Sequence, residues 1–135
     1  MSLITILSKI SLPAVLVAGV AHMVTGLIWF SPRIFGKQWS ELTKQDLKPA
    51  RQWLAAGVIG HQLIALVLAV IVYLAQATTI LEGIIIGILV WIGFIVTLET
   101  GELIWEKIPF KLFVIRIGNH LIALSIAGAI LAVWR

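Results

Sequence analysis

Residues 79–105 read TILEGIIIGILVWIGFIVTLETGELIW, and no charged side chain falls between Glu82 and Glu99. A helix rises about 1.5 Å per residue and needs roughly 20 residues to cross about 30 Å of hydrocarbon. This stretch therefore has the length and the apolarity of a membrane span. Working outward, residues 10–30, 52–75 and 110–134 share its character, giving four predicted spans, of which 79–105 is the third. The whole composition agrees. The 135 residues are 61% hydrophobic and 12% charged, with a mean hydropathy of +1.10, whereas an ordinary soluble domain is about half apolar and about a quarter charged. The expected fold is all-α, a four-helix transmembrane bundle of two antiparallel hairpins, with residues 1–135 as a single integral membrane domain. A cleaved signal peptide is the competing reading of the first stretch. It would carry only Lys9 as a cation, and its weak Gly19-Val20-Ala21 cleavage site is followed by apolar sequence to Phe30, so residues 10–30 read better as a span.

Charge sets the expected orientation. Four spans place both termini and the turn near residues 76–79 on one side, and the 31–51 and 106–109 loops on the other. The loop side carries Arg33, Lys37, Lys44, Lys48, Arg51, Lys107 and Lys111, against only Lys9 and Arg135 on the terminal side. Lys and Arg are retained in the cytoplasm, so both termini are expected outside a cell membrane crossed several times. The sequence pI near 9.9 comes mainly from this loop and reads as a topology signal. The bilayer is the expected partner, and no nucleic acid is. Trp29, Trp53 and Trp105 are expected at the inner interface, with Tyr73 and Trp134 at the outer one; Trp91 fits neither belt. Within the loop, Ser40 to Lys48 predicts a short interfacial helix stopped by Pro49.

Two features suggest internal packing. Ile59-Gly60-His61-Gln62-Leu63-Ile64-Ala65-Leu66 parallels Ile117-Gly118-Asn119-His120-Leu121-Ile122-Ala123-Leu124, and Leu27-Ile28-Trp29 parallels Leu103-Ile104-Trp105. The two hairpins would then form a parallel internal repeat, with chance similarity among apolar spans as the alternative. Small residues recur at helical spacing at Ala14 and Ala18, Ala56 and Gly60, and Gly83 and Gly87. Such pairs let backbones approach closely, either within the chain or in a homo-oligomer or larger membrane complex.

The polar residues within the spans are His22, His61, Glu99, Glu102, Arg116, Asn119 and His120. Counted from the cytoplasmic ends, the three histidines share a depth of about 12–15 Å. The hairpin around residues 107–109 should set Glu102 opposite Arg116 and Glu99 opposite His120. Ionisable groups at such depth cost at least about 2.5 kcal/mol, so they should face one another or water. A sealed ion pair and a polar pocket open to the cytoplasm both satisfy that demand. A metal site at His22, His61 and His120 is the weaker third reading, because no HxxxH or ExxH spacing occurs and three helices would have to supply the ligands. The chain has no cysteine, so disulfides and thiolate sites are excluded. It also has no GxSxG elbow, phosphate loop or HExxH motif, so no cofactor is expected and an enzyme is disfavoured.

The segment Trp29-Phe30-Ser31-Pro32-Arg33-Ile34-Phe35-Gly36-Lys37-Gln38-Trp39 resembles the signature of the small membrane family described as domain of unknown function 1761. The matching positions are Trp29, Ser31, Pro32, Phe35, Gly36, Lys37 and Trp39, and Gly93-Phe94 and Trp134 extend the resemblance along the chain. The resemblance implies four spans and supplies no activity. Physically, Ser31-Pro32 stops a helix, Gly36 permits a turn, and Phe35 and Trp39 suit the headgroup layer. The leading functional expectation is a non-enzymatic multi-pass protein that binds or passes a small solute or ion through the cytoplasm-facing polar cluster. The alternatives are an assembly subunit of a larger membrane complex, and a membrane enzyme or metalloprotein using Glu and His.

Overall fold

The structure, a computed structural model, describes residues 2–134; Met1 and Arg135, and with the latter the second cation counted on the terminal side, lie outside the described residues. The chain opens with a short helix that the hydropathy pattern does not announce, α1 (Leu3–Leu7), capped by the Ser2 hydroxyl. In α2 (Leu12–Trp29) the Ser11 hydroxyl accepts from the Ala14 amide, and Pro13 sits in the opening turn, where its missing N–H costs no helical bond. The loop that follows holds a short helix, α3 (Gly36–Thr43). A 3-10 turn (Arg51–Trp53) then leads into α4 (Leu54–Leu74). Thr79 and Glu82 cap each other reciprocally at the head of α5 (Ile80–Val90), satisfying amide donors that a helix start leaves free. Beyond α5 the helix continues through a π-helical stretch (Trp91–Val96), α6 (Thr97–Gly101) and a second π-helical stretch (Glu102–Glu106). Lys107 turns left-handed at φ 54°, and α7 (Phe110–Val133) follows Pro109.

Among the described residues, four helices are long and apolar enough to cross a membrane, Leu12–Trp29, Arg51–Leu74, Ile80–Glu106 and Phe110–Val133. There is no strand among them, so the all-α bundle expected from the sequence is what forms. The outward faces are apolar, as at Leu16, Leu89 and Leu98.

The loop differs from expectation. Its helix α3 covers Gly36–Thr43 and not Ser40 to Lys48, ending where Lys44 takes a left-handed conformation. The Ser40 hydroxyl donates to the Gln45 carbonyl and the Thr43 hydroxyl accepts from the Gln45 amide, so polar side chains offer the backbone a turn in place of another helical residue. Pro49 further disfavours helix at Lys48. The earlier start comes from the reversal after α2. The Phe35 amide bonds the Trp29 carbonyl and the Gly36 amide the Ser31 carbonyl. A Cβ on buried Gly36 would collide with the Phe30 and Ser31 carbonyls, so the turn requires glycine.

Helix α7 is central, packing on α2, α4 and α5, while α4 and α5 touch only sparsely. The closest approach is between α5 and α7. A Cβ at Gly83 would strike the Gly128 carbonyl, one at Gly128 the Gly83 carbonyl, and one at Gly87 the Leu124 carbonyl. Gly83 and Gly87 are thus used inside the chain, as are Ala14 and Ala18, which are buried; Gly60 faces open space. Small residues of this kind let helices meet backbone to backbone, where dispersion contacts replace the hydrophobic drive that lipid does not supply.

Two outcomes are expected from these contacts. Gly83→Val or Gly128→Val separates α5 from α7 and lowers the unfolding temperature in detergent sharply or prevents folding. Gly60→Ala, with nothing within 4 Å of the added methyl, leaves the unfolding temperature unchanged or raises stability by about 0.5–1 kcal/mol.

Candidate functional site

His22 lies about two turns before the end of α2, and His61 about two turns after the start of α4. Antiparallel helices therefore bring them level. Their Nδ1 atoms are 2.8 Å apart, and the ring centres 5.0 Å apart. His120 comes from α7, with its ring centre 5.9 Å from that of His22. His22 is 1% exposed and Asn119 6%. The three histidines thus meet where α2, α4 and α7 converge, and Asn119 is buried on α7 with its side chain toward Gly26 of α2.

A second group sits one turn along α7. Arg116 bonds the Glu102 carboxylate, and its Nη1 lies 3.6 Å from Glu99 Oε2. Helical counting sets Glu99 opposite His120; the structure draws it to Arg116 instead. The third long helix is irregular there. The Thr97 hydroxyl donates to the Gly93 and Phe94 carbonyls, and the Thr100 hydroxyl to the Val96 carbonyl. Such back-bonding accompanies the widened π turns on either side of α6.

Several polar atoms have no hydrogen-bonding partner within the protein. Among the described residues, the buried ones are His22 Nε2, Gln62 Oε1, Glu99 Oε2, Asn119 Oδ1 and His120 Nδ1. Together they come from all four long helices. Gln62 was absent from the sequence-derived cluster. The available signal was Gly19, which faces it: a Cβ there would collide with the Gln62 side chain, so the glycine makes room for an amide inside the bundle.

Two tryptophans frame these groups. The Trp29 indole donates to the Ile115 carbonyl at 2.9 Å, and the Trp91 indole to the Ile117 carbonyl at 2.7 Å. Trp29 therefore docks on α7, where its ring occupies the place a Gly118 side chain would need; it is not a free interfacial anchor. Trp53 and Trp105 remain exposed. The rest of the motif closes the reversal around Trp29. Phe35 packs on Trp29 with ring centres 4.6 Å apart, and Trp39 meets Phe30 edge-on at 6.1 Å, while Ser31, Pro32 and Gly36 form the turn and Lys37 is exposed.

Between α4 and the Ile80–Glu106 helix lies a cavity of about 370 Å³, reached by His22 and His120 and walled by Leu63, Val67, Phe94 and Leu124. Among the described residues, no group of three His, Asp or Glu side chains is arranged to hold a metal ion.

A family model described as protein of unknown function (DUF1761) matches residues 13–132, and the chain belongs to that family. No curated protein and no solved structure matches it.

The Arg116 group yields an asymmetric expectation. Arg116→Leu leaves two carboxylates facing each other without a cation and should cost about 2–3 kcal/mol. Glu102→Gln keeps a hydrogen-bonding partner for the guanidinium and should cost under about 1 kcal/mol. Unfolding in detergent micelles, followed by circular dichroism, measures both.

Proposed function

We propose that the chain is a four-pass membrane protein that binds or passes a small molecule at the buried polar groups shared by α2, α4 and α7, without transforming it. The observation that carries this reading is the set of unpartnered polar atoms. A buried amide or hydroxyl without a partner costs roughly 1–3 kcal/mol, and most buried polar groups in folded proteins are paired. Glu99 Oε2 has the Arg116 guanidinium nearby, but His22 Nε2, Gln62 Oε1, Asn119 Oδ1 and His120 Nδ1, from α2, α4 and α7, have no such neighbour, and a bound small molecule would complete their hydrogen bonding. A purely structural network satisfies its own members, as Arg116 and Glu102 do. That ion pair supports a second reading for its own part of the site, a lock between the third long helix and α7.

The orientation follows from the basic loop. Both termini lie outside and the 31–51 loop lies in the cytoplasm, because seven Lys and Arg residues gather at that end and cytoplasmic retention of cations fixes topology. The chain has no cysteine, so single-cysteine variants report the topology directly. Gln76→Cys should react with a membrane-impermeant maleimide on intact cells, and Gln45→Cys only after permeabilisation. The reverse pattern overturns the orientation.

Binding is tested on the full chain by mass spectrometry of small molecules retained through purification, with proton and sodium flux into proteoliposomes in parallel. Either a retained molecule or a flux should fall several-fold in His22→Ala, Asn119→Leu and His120→Ala. Folded variants that change neither signal, while losing thermal stability, would make the cluster structural.

A further inference from the structure

Helix α4 and the Ile80–Glu106 helix are joined by a short turn, yet they do not pack along their length. Helix α4 meets α5, the part of its neighbour next to the turn, only sparsely, and the later segments of that neighbour make no comparable contact with it. Residues 51–59, at the loop end of α4, are all exposed. A Cβ added at Gly57 or Gly60 would meet nothing within 4 Å. The two helices thus form a wedge, closed by the turn and open toward the end of the bundle that carries the 31–51 loop.

The crevice of about 370 Å³ lies in this wedge, between Leu63, Ile64 and Val67 of α4 and Val90, Phe94 and Ile95 of the third long helix, and its wall is almost wholly hydrocarbon. Leu63, Val67 and Phe94 are 56%, 59% and 64% exposed, so it opens onto the outer surface of the bundle. Each wall also ends alike on the loop side. Arg51 and Trp53 precede α4, and Trp105 and Lys107 close the other helix; all four are exposed, as is Glu106. Exposed indoles and cations suit the headgroup layer.

We infer that the wedge holds an anionic phospholipid, with an acyl chain lying between α4 and the Ile80–Glu106 helix and reaching the crevice, and its phosphate near Arg51 and Lys107. The inference rests on the four-pass reading above and is independent of any ligand at the histidines. Its apolar half follows from depth and shape. Hydrocarbon about 30 Å thick gives each leaflet about 15 Å, and the rise from Leu54 to Leu63 is about 14 Å, so an acyl chain that follows α4 inward arrives at the crevice. A second copy of this chain fits less well. A helix about 10–12 Å across fills about 400 Å³ or more per turn, so not even one turn enters a crevice of about 370 Å³. The charged half follows from the wall ends. Arg51 and Lys107 face a phosphate with two positive charges, of which Glu106 offsets one, and a net positive rim between helices favours an anionic head over a zwitterionic one.

The test uses the full chain in phosphatidylcholine vesicles that contain a trace of photoactivatable phospholipid, with the reactive group at the end of one acyl chain and either a glycerol or a choline head. Cross-linked peptides are mapped by mass spectrometry. The phosphatidylglycerol probe should label residues 63–71 and 90–95 several-fold above residues 12–20 of α2, where exposed Leu12 and Leu16 report ordinary lipid contact. It should exceed the phosphatidylcholine probe there about five-fold, the factor that one net cation near the surface supplies. Val67→Trp, on the exposed lip, should fill the crevice without entering the core and return its labelling to the α2 level. Arg51→Gln combined with Lys107→Gln should lower labelling by phosphatidylglycerol to that by phosphatidylcholine. Labelling no stronger than on α2, or indifferent to Val67→Trp, overturns the site; equal labelling by the two lipids overturns the anionic head. A dimer in native mass spectrometry that Val67→Trp dissolves assigns the wedge to a second copy and overturns the lipid. If Gln76→Cys and Gln45→Cys report from the same side of the membrane, the four-pass reading falls and the lipid site with it. With the two on opposite sides, a failed lipid test removes the site alone.

Discussion

The backbone contact between α5 and α7 is the constraint on which the remaining geometry depends. Gly83, Gly87 and Gly128 bring the two helices so close that a methyl group on any of them would overlap a carbonyl of the other. Drawn in on that side, the third long helix leaves α4 only sparse contacts, and the space between them becomes the crevice. Helix α7, thus held, turns its other faces to α2 and α4, and places His120 beside His22. Small residues on α2 and α4, with Ala14, Ala18, Ala65 and Ala69 all buried, repeat the device in a milder form. The bundle is built by removing side chains along one seam, and the resulting proximity sets the positions of polar groups elsewhere.

Much of this was legible in sequence because its causes are local or one-dimensional. Apolar length marks helices that can cross a membrane, and Thr79-x-x-Glu82 announces the helix start that the structure shows. The shared level of the histidines follows from counting along antiparallel helices. What could not be read was rotation about a helix axis. Pairing Glu99 with His120 assumes 3.6 residues per turn throughout, whereas the third long helix has widened turns at Trp91–Val96 and Glu102–Glu106 and Glu99 lies beside Arg116. Gln62 escapes a reading of its own helix because the neighbour its side chain meets, Gly19, is on another helix. Trp29 looks interfacial from its place at a helix end, but its indole finds a carbonyl on α7, a contact between residues far apart in sequence. The same applies to α3, whose start is dictated by the tight turn at Gly36 and not by its own helix-forming residues.

The polar groups also differ in kind along the bundle, and the order is physically coherent. Nearest the basic loop, Arg116 meets two carboxylates, and both Arg116 and Glu102 remain partly accessible; charges are tolerated where headgroups and water can reach them. One turn further along α7 are Asn119, buried, and the imidazole of His120, beside that of His22. Beyond them the cavity wall is hydrocarbon, built from the branched side chains of Val67, Leu68 and Ile71 on α4 and Leu124 on α7. Charge gives way to dipoles, and dipoles to hydrocarbon, in the sequence in which hydration becomes harder to supply.

That gradient bears on what the unpartnered atoms mean. If the bundle's polar residues served stability alone, the most stable arrangement at depth would be apolar, since buried ion pairs and half-satisfied polar networks are commonly less stable than hydrocarbon of the same shape. The chain follows that rule along the α5–α7 seam and departs from it at the Arg116–Glu102–Glu99 group and again at His22, Gln62, Asn119 and His120. Gly19 leaves room for the end of the Gln62 side chain, and the hydrogen bond between the His22 and His61 Nδ1 atoms orients the His22 ring. Unpartnered buried atoms are costly to a fold judged by stability alone, and two of the residues that carry them, His22 and His120, stand beside the apolar crevice. The position of that crevice follows from the glycine seam on the opposite side of α7, which holds the third long helix against α7 and leaves α4 only sparse contacts with it.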